Sequence, residues 1–228
     1  MKNLVTKDQW NNARVDLLEK EKELTRLRDE VARARRELPW HLVEKDYSFS
    51  GPDGECTLLD LFGSKSQLVI YHFMYGPGWE EGCKSCSFWA DQYDTVANHI
   101  AARDVALAVV SRASWQEFQT FKERMGWQFT WVSSSETSFN LDYQVSHPGG
   151  GQGVYNYRDT TVMEEMPGLS VFKKDDEGQI AHTYSCYSRG LDALNAIYQI
   201  LDMVPKGRDE ETLDFTMSWV QHHDRYED

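Results

Sequence analysis

The chain has little of what would mark a secreted scaffold, a membrane protein or a nucleic-acid binder. Its four cysteines in 228 residues, at positions 56, 83, 86 and 186, are too few and too unevenly placed for a disulfide framework of this length. No apolar run approaches the roughly 20 residues needed to cross a bilayer. Residues 1–10 lack the apolar stretch of a secretion signal, so a cytoplasmic location is expected. Basic residues are outnumbered, 24 Lys and Arg against 37 Asp and Glu, which leaves a formal charge of −13. That charge repels phosphate backbones and anionic lipid surfaces, so neither nucleic acid nor a membrane is expected as a partner. The length suits one decorated domain whose core can hold without disulfide staples.

What the chain does have is pattern. Residues 7–37 are dense in Glu, Lys, Arg and Leu and contain no Gly or Pro. Trp10, Leu17, Leu24, Val31 and Leu38 recur every seven residues, with Ala13, Leu27 and Ala34 on the adjoining row. The spacing predicts one long amphipathic helix, ended by Pro39. Lys20 interrupts the second row, and two readings stand together: the helix packs along its own domain, or it is an arm that grips a second copy in a homo-oligomer. A turn cluster at 50–54 and a short element at 56–62 precede residues 68–75, a nearly continuous apolar run that suits a strand covered on both faces. Phe88, Trp89, Tyr93, Val96, Ala97 and Ile100 then fall at helical spacing. A strand at 105–110, a helix at 115–125 closed by Gly126 and a strand at 127–132 follow, the alternation of a parallel, three-layered α/β core. Residues 146–166, with Pro148 and a glycine run at 149–153, lose periodicity and are expected to be a long loop, functional or disordered. The glycines resemble a phosphate cradle only superficially, because no strand leads in and no helix follows at once. A hairpin over 169–185 and a helix over 191–201 close the core. The expected organisation is an arm and linker at 1–50, a central domain at 51–204 and an extension at 205–228. In that extension Phe215, Trp219 and Val220 are placed to cover an edge or a partner, and His222 and His223 read as a solvated tail.

The chemistry is concentrated in Cys83-Lys84-Ser85-Cys86, between the apolar strand and its helix. Two thiols so spaced at a helix start can close a small disulfide ring and reopen it. The free N–H groups and partial positive charge of the helix end favour a thiolate at the first cysteine. One such pair without a second is a weak zinc signal, since a closed tetrahedral site needs four ligands, and no metal is assigned. Lys84 would favour the thiolate, whereas Glu80 or Glu81 beside it would disfavour it. His72, on the strand, is a candidate tuner or, with both cysteines, a ligand for a soft ion such as Cu(I); the plainer reading is a hydrogen-bonded core histidine. Trp79, in the loop ahead of the pair, is the candidate substrate contact. Cys56 and Cys186 read as small thiols of the interior, Cys186 with a lesser claim as an extra resolving thiol.

The order strand, C-x-x-C, helix, strand, helix, strand, loop, Pro, hairpin, helix resembles the thioredoxin fold in the form with an inserted strand and helix, as in peroxiredoxin relatives, over about 57–201. More closely, Gly78-Trp79-Glu80-Glu81-Gly82-Cys83-Lys84-Ser85-Cys86-Ser87-Phe88-Trp89-Ala90, Val110-Ser111-Arg112-Ala113, Met125-Gly126-Trp127 and Arg189-Gly190-Leu191-Asp192-Ala193-Leu194-Asn195 resemble a bacterial family known as domain of unknown function 899. The resemblance implies a thioredoxin-like three-layer sandwich with a mixed central sheet, plus the long N-terminal helix and the C-terminal extension. It also implies dithiol-disulfide chemistry, with Cys83 as the attacking thiol and Cys86 as the resolving one. Pro167 matches the cis-proline that faces the disulfide, which would let the Met166 backbone pair with an extended substrate; a trans proline that merely starts a strand is the alternative.

The chain also departs from those patterns. Gly82 stands where thioredoxins place a tryptophan, and residues 68–75 contain no acid. Glu80 and Gly76 stand where peroxiredoxins need Thr or Ser and Pro, which weakens a peroxidase reading. The expected function is therefore a thiol-disulfide oxidoreductase that needs no cofactor. Its partners would be a disulfide-containing protein or small molecule and an electron donor. The alternatives are a thioredoxin-fold binding or assembly module with a vestigial pair, and a soft-metal protein.

Overall fold

The structure is a computed structural model that describes residues 4–227. The chain divides into two compact units, Met1–Pro39 and Trp40–Asp228. In the first, α1 (Lys7–Arg36) is the expected long helix. Thr6 and Gln9 cap its start reciprocally, and Arg33, Arg35 and Arg36 place positive charge at its negative end. It buries no residue, so its order rests on local terms such as the 2.8 Å Arg14–Glu21 and Lys22–Glu19 ion pairs.

The second unit is built on an eight-stranded sheet. β1 (His41–Leu42), β2 (Ser48–Gly51) and β3 (Gly54–Thr57) come first, and β2 and β3 form a hairpin. β4 (Gln67–His72) is followed by α2 (Lys84–Ala90) and α3 (Tyr93–Ala101), which lead to β5 (Val105–Ser111). Next come α4 (Trp115–Arg124), β6 (Thr130–Ser133), α5 (Phe139–Asp142), β7 (Gly151–Tyr155) and β8 (Arg158–Val162). β9 (Gly168–Lys174), β10 (Ile180–Tyr187) and α6 (Ala196–Leu201) complete it. The strand order is β1-β10-β9-β4-β5-β6-β2-β3. β4, β5 and β6 run parallel, while β9 returns antiparallel beside β4 and pairs with β10. A βαβαβ run with an antiparallel hairpin on its other flank is the thioredoxin-like arrangement.

β4 is central because both its faces are apolar. Leu68 and Ile70 point into a layer with Tyr47, Phe49, Phe62, Phe139 and Phe172. Tyr71 and Phe73 point the other way, into a layer with Cys86, Phe88, Trp89, Phe121 and Trp131. Period-two alternation thus assigns each residue of β4 to one of two cores. Each fully buried Leu or Phe there stabilises the fold by roughly 1.5–3 kcal/mol. Among the described residues no helix is long and apolar enough to cross a membrane.

Three segments differ from expectation. Residues 146–166 contain the β7–β8 hairpin rather than an irregular loop. Asn156 and Tyr157, at φ 52° and 63°, supply the two left-handed positions that a tight hairpin turn requires. Tyr155 and Val162 are buried against Val145 and Tyr187. The expected helix at 191–201 is a tight 3-10 segment, Ser188–Leu194, followed by α6, whose start Asn195 caps through the Tyr198 N–H at 2.9 Å. The tail is not solvated at His222, which is 1% exposed.

Candidate functional site

β4 delivers the chain to the cysteine pair and the next three residues hold it there. Beyond the last ladder residue, Phe73 N–H bonds Val110 O, and Ala113 N–H bonds Tyr75 O. Met74 lies between and touches both halves of the site. Its carbonyl accepts the Cys83 N–H at 3.1 Å, and its own N–H donates to Cys86 Sγ at 3.4 Å. Cys83 is the residue capping α2, and Cys86 lies one turn in. Cys83 is half-buried, whereas Cys86 is 1% exposed; both are free thiols. Neither of two clefts on the unit, about 350 and 430 Å³, is lined by either cysteine. Of the two sulfur-bearing residues, Cys83 is the one that meets solvent.

The two thiols are electrostatically unequal. The Cys83 thiol is lowered to about 7: the Cys86 side chain does most, burial opposes it, and the N–H groups of Cys86 and Ser85 with the Ser85 hydroxyl add to it. Cys86 is pushed well up, first by burial and then by the neighbouring Cys83 sulfur, with Tyr71 and the Met74 N–H opposing. The lowering gives Cys83 more thiolate at neutral pH than a free cysteine has. A half-buried nucleophile beside a buried, protonated partner is an arrangement in which one sulfur can attack and the other can follow.

Gly82, unexpected next to the first cysteine, has a steric cause. A Cβ there would sit 2.6 Å from the Phe73 ring and 2.7 Å from that of Phe121. Its carbonyl accepts the Nε2–H of His222 at 2.9 Å, while His222 Nδ1 accepts from Arg124 at 3.0 Å. Glu81 joins the same clasp through Arg124 and Arg225. Partial burial works against its charge, yet the two guanidiniums hold its carboxyl below the usual range. The extension is thus a buttress for the loop ahead of Cys83, a role hidden in the sequence because its apolar residues are too sparse to show a period.

Other candidate residues are placed less as expected. His72 lies on the opposite face of β4 from the thiols, stacked on Phe139, with Nδ1 3.3 Å from Asn140 Oδ1 and Nε2 2.9 Å from Ser170 Oγ. It neither tunes Cys83 nor joins it as a ligand; the two-residue period of the strand separates them. The Pro167 bond is trans, since no cis peptide bond occurs among the described residues. The Met166 N–H is bonded to Val145 O at 2.8 Å and Pro167 O to the Tyr155 hydroxyl at 2.7 Å. This backbone is tied to the hairpin segment, so the Met166 N–H is already taken and is not open to a substrate chain as expected. Trp79 is half-buried and folds back on Gly76, whose Cβ would meet its Nε1 at 2.9 Å. Glu80 and Lys84 are exposed. Ser85 and Arg112 went unmarked in the sequence. Arg112 binds the buried Glu165 at 2.5 Å and Glu164 at 2.6 Å, and Ser146 donates to Glu165 at 2.5 Å. Among the described residues no three His, Cys, Asp or Glu side chains are grouped to hold a metal ion.

The profile of the family described as "Bacterial protein of unknown function (DUF899)" matches residues 1–226. No curated protein matches. Among solved structures, peroxidoxin BcpB from Mycobacterium tuberculosis is similar over 70% of this chain and 94% of its own, at 13% identity and a TM-score of 0.49. A variant of peroxiredoxin Q from Xanthomonas campestris is similar over 73% and 93%, at 16% identity and a TM-score of 0.44. A PrxQ variant from Xylella fastidiosa is similar over 68% and 89%, at 14% identity and a TM-score of 0.43.

Proposed function

The chain belongs to the DUF899 family, and we propose that it is a thiol-disulfide oxidoreductase acting through Cys83 and Cys86. The observation that carries this reading is the inequality of the two sulfurs, a half-buried Cys83 lowered to about 7 over a buried, protonated Cys86. In the first step the Cys83 thiolate attacks a substrate disulfide, forming a mixed disulfide and releasing one substrate sulfur. In the second Cys86 displaces the other substrate sulfur from Cys83. The substrate gains two electrons, the pair closes as a disulfide, and a separate thiol reductant reopens it. Cys83, the half-buried sulfur of the two, is the one a substrate disulfide can reach.

Reduction of such a disulfide by the intact chain tests the reading. Cys83→Ser should remove activity, and Cys86→Ser should stall as a mixed disulfide on Cys83. A Cys83→Ser chain that keeps full activity would end this assignment. A Cys83 that titrates as a free thiol and forms no reversible disulfide would point instead to a binding module.

A further inference from the structure

Cys86 is buried among tyrosines, two of which hold hydroxyls that make no hydrogen bond of ordinary geometry. Tyr71 and Tyr93 are 1% and 5% exposed. Neither phenol oxygen has a hydrogen-bond partner, although both are shut off from solvent. Buried polar groups almost always find partners, so two orphans in one place call for an explanation. Their rings meet edge to face, with centroids 5.2 Å apart. Both belong to the apolar layer that holds Cys86. Strand alternation puts Tyr71 on the Cys86 side of β4, and Tyr93 opens α3, just beyond the helix that carries the thiol. Negative charge on Cys86 bears on both phenols, and Tyr71 is placed to donate to it.

We propose that the Tyr71 hydroxyl is a catalytic hydrogen-bond donor to Cys86, aimed at the charge its sulfur acquires in the second half of the reaction, and that Tyr93, packed edge to face on Tyr71, supports it as a positioning residue. The proposal rests on the dithiol reading above. A thiol is a weak acceptor and leaves the phenols idle; a thiolate is a strong one. After Cys83 has attacked, the Cys86 S–H gives up its proton to a base from solvent. The resulting thiolate then accepts from the Tyr71 hydroxyl and from the Met74 N–H, already 3.4 Å away. It next attacks the Cys83 sulfur, the Cys83–substrate bond breaks, and the second substrate sulfur departs with that electron pair. The phenols keep their protons throughout, since burial pushes both well above their ordinary value. Donors oriented before the charge arrives need no reorganisation when it does.

The test is a single turnover of the intact chain with the aromatic disulfide dithiobis(nitrobenzoate), which releases one coloured thiolate on attack by Cys83 and a second on resolution by Cys86. Tyr71→Phe should leave the first release unchanged and slow the second by roughly tenfold or more, the size expected for a lost hydrogen bond to a charged group. Tyr93→Phe, which leaves Tyr71 in place and serves if the first variant does not fold, should slow the second release by a smaller factor. Thermal midpoints should not fall, because an unpartnered hydroxyl has no bond to lose; a merely structural role would lower them and slow both releases alike. A second release at the parental rate in Tyr71→Phe, with Cys86→Ser stalled after the first, overturns this proposal and spares the dithiol reading. Two releases from Cys86→Ser overturn both.

Discussion

At Cys83 the thiolate is held mainly by a neighbouring thiol and not by a fixed cation, which makes its acidity vulnerable to a single change. Because the Cys86 side chain does most to lower Cys83 to about 7, Cys86→Ala should move the pH midpoint of Cys83 alkylation by iodoacetamide upward, toward the free-thiol value near 8.5. A midpoint still near 7 in that variant would show that the helix end and Ser85 suffice. Gly82 makes a second single-residue case. With the Phe73 and Phe121 rings 2.6 and 2.7 Å from where a Cβ would go, Gly82→Ala should destabilise the chain by about 1–3 kcal/mol in urea unfolding, the usual cost of overpacking. An unchanged unfolding midpoint would mean that the rings yield freely.

Among the elements, the ones legible in the sequence are those whose residues repeat a period over enough length. β4 could be read from its unbroken apolar run, α1 from its seven-residue stripe, and the cysteine pair from its place between strand and helix. The β7–β8 hairpin could not, because its turn is Asn156-Tyr157 where a glycine would have announced left-handed backbone. Next to that hairpin, Val145 and Tyr155 bind the backbone at the Met166 N–H and the Pro167 carbonyl. What ties the segment to the sheet is Arg112, just after β5. It faces a Glu165 carboxyl that burial pushes up even with Ser146 and Arg112 pulling it down. Arg112→Met should therefore destabilise by about 3–5 kcal/mol, because it leaves a buried carboxylate unpaired. Adding Glu165→Gln should recover much of the loss by removing the charge. A double variant no more stable than Arg112→Met, measured by urea unfolding, would mean that the pair is not the origin of the effect.

At the scale of the whole molecule the sheet is a partition, with the cysteine pair on one side and a polar network inside the other core. That network runs from His72 to Ser170 at 2.9 Å, on to Ser185 at 2.8 Å and to His182 at 2.7 Å, crossing β4, β9 and β10. Burial pushes His72 down to about 4, with the Asn140 bond opposing and His182 adding. His182 and His222 are lowered as well, each chiefly by burial. The unfolded chain binds these protons more tightly than the folded one, so stability is undiminished above the ordinary histidine value near 6.5 and declines as pH falls from there toward 4. For His72 alone the full decline is about 3 kcal/mol. Carboxylates whose values lie below the ordinary range, such as Asp142 beside Lys45 and Asp104 beside Ser66, act at lower pH. His72→Gln should thus flatten the fall in thermal midpoint between pH 6.5 and 4 without abolishing it, since His182 and His222 titrate in the same direction. It should also leave the alkylation of Cys83 at pH 7 as it was, because the sheet stands between them. An unflattened profile would show that His72 is charged in the folded chain, and a changed Cys83 would show that the two faces communicate.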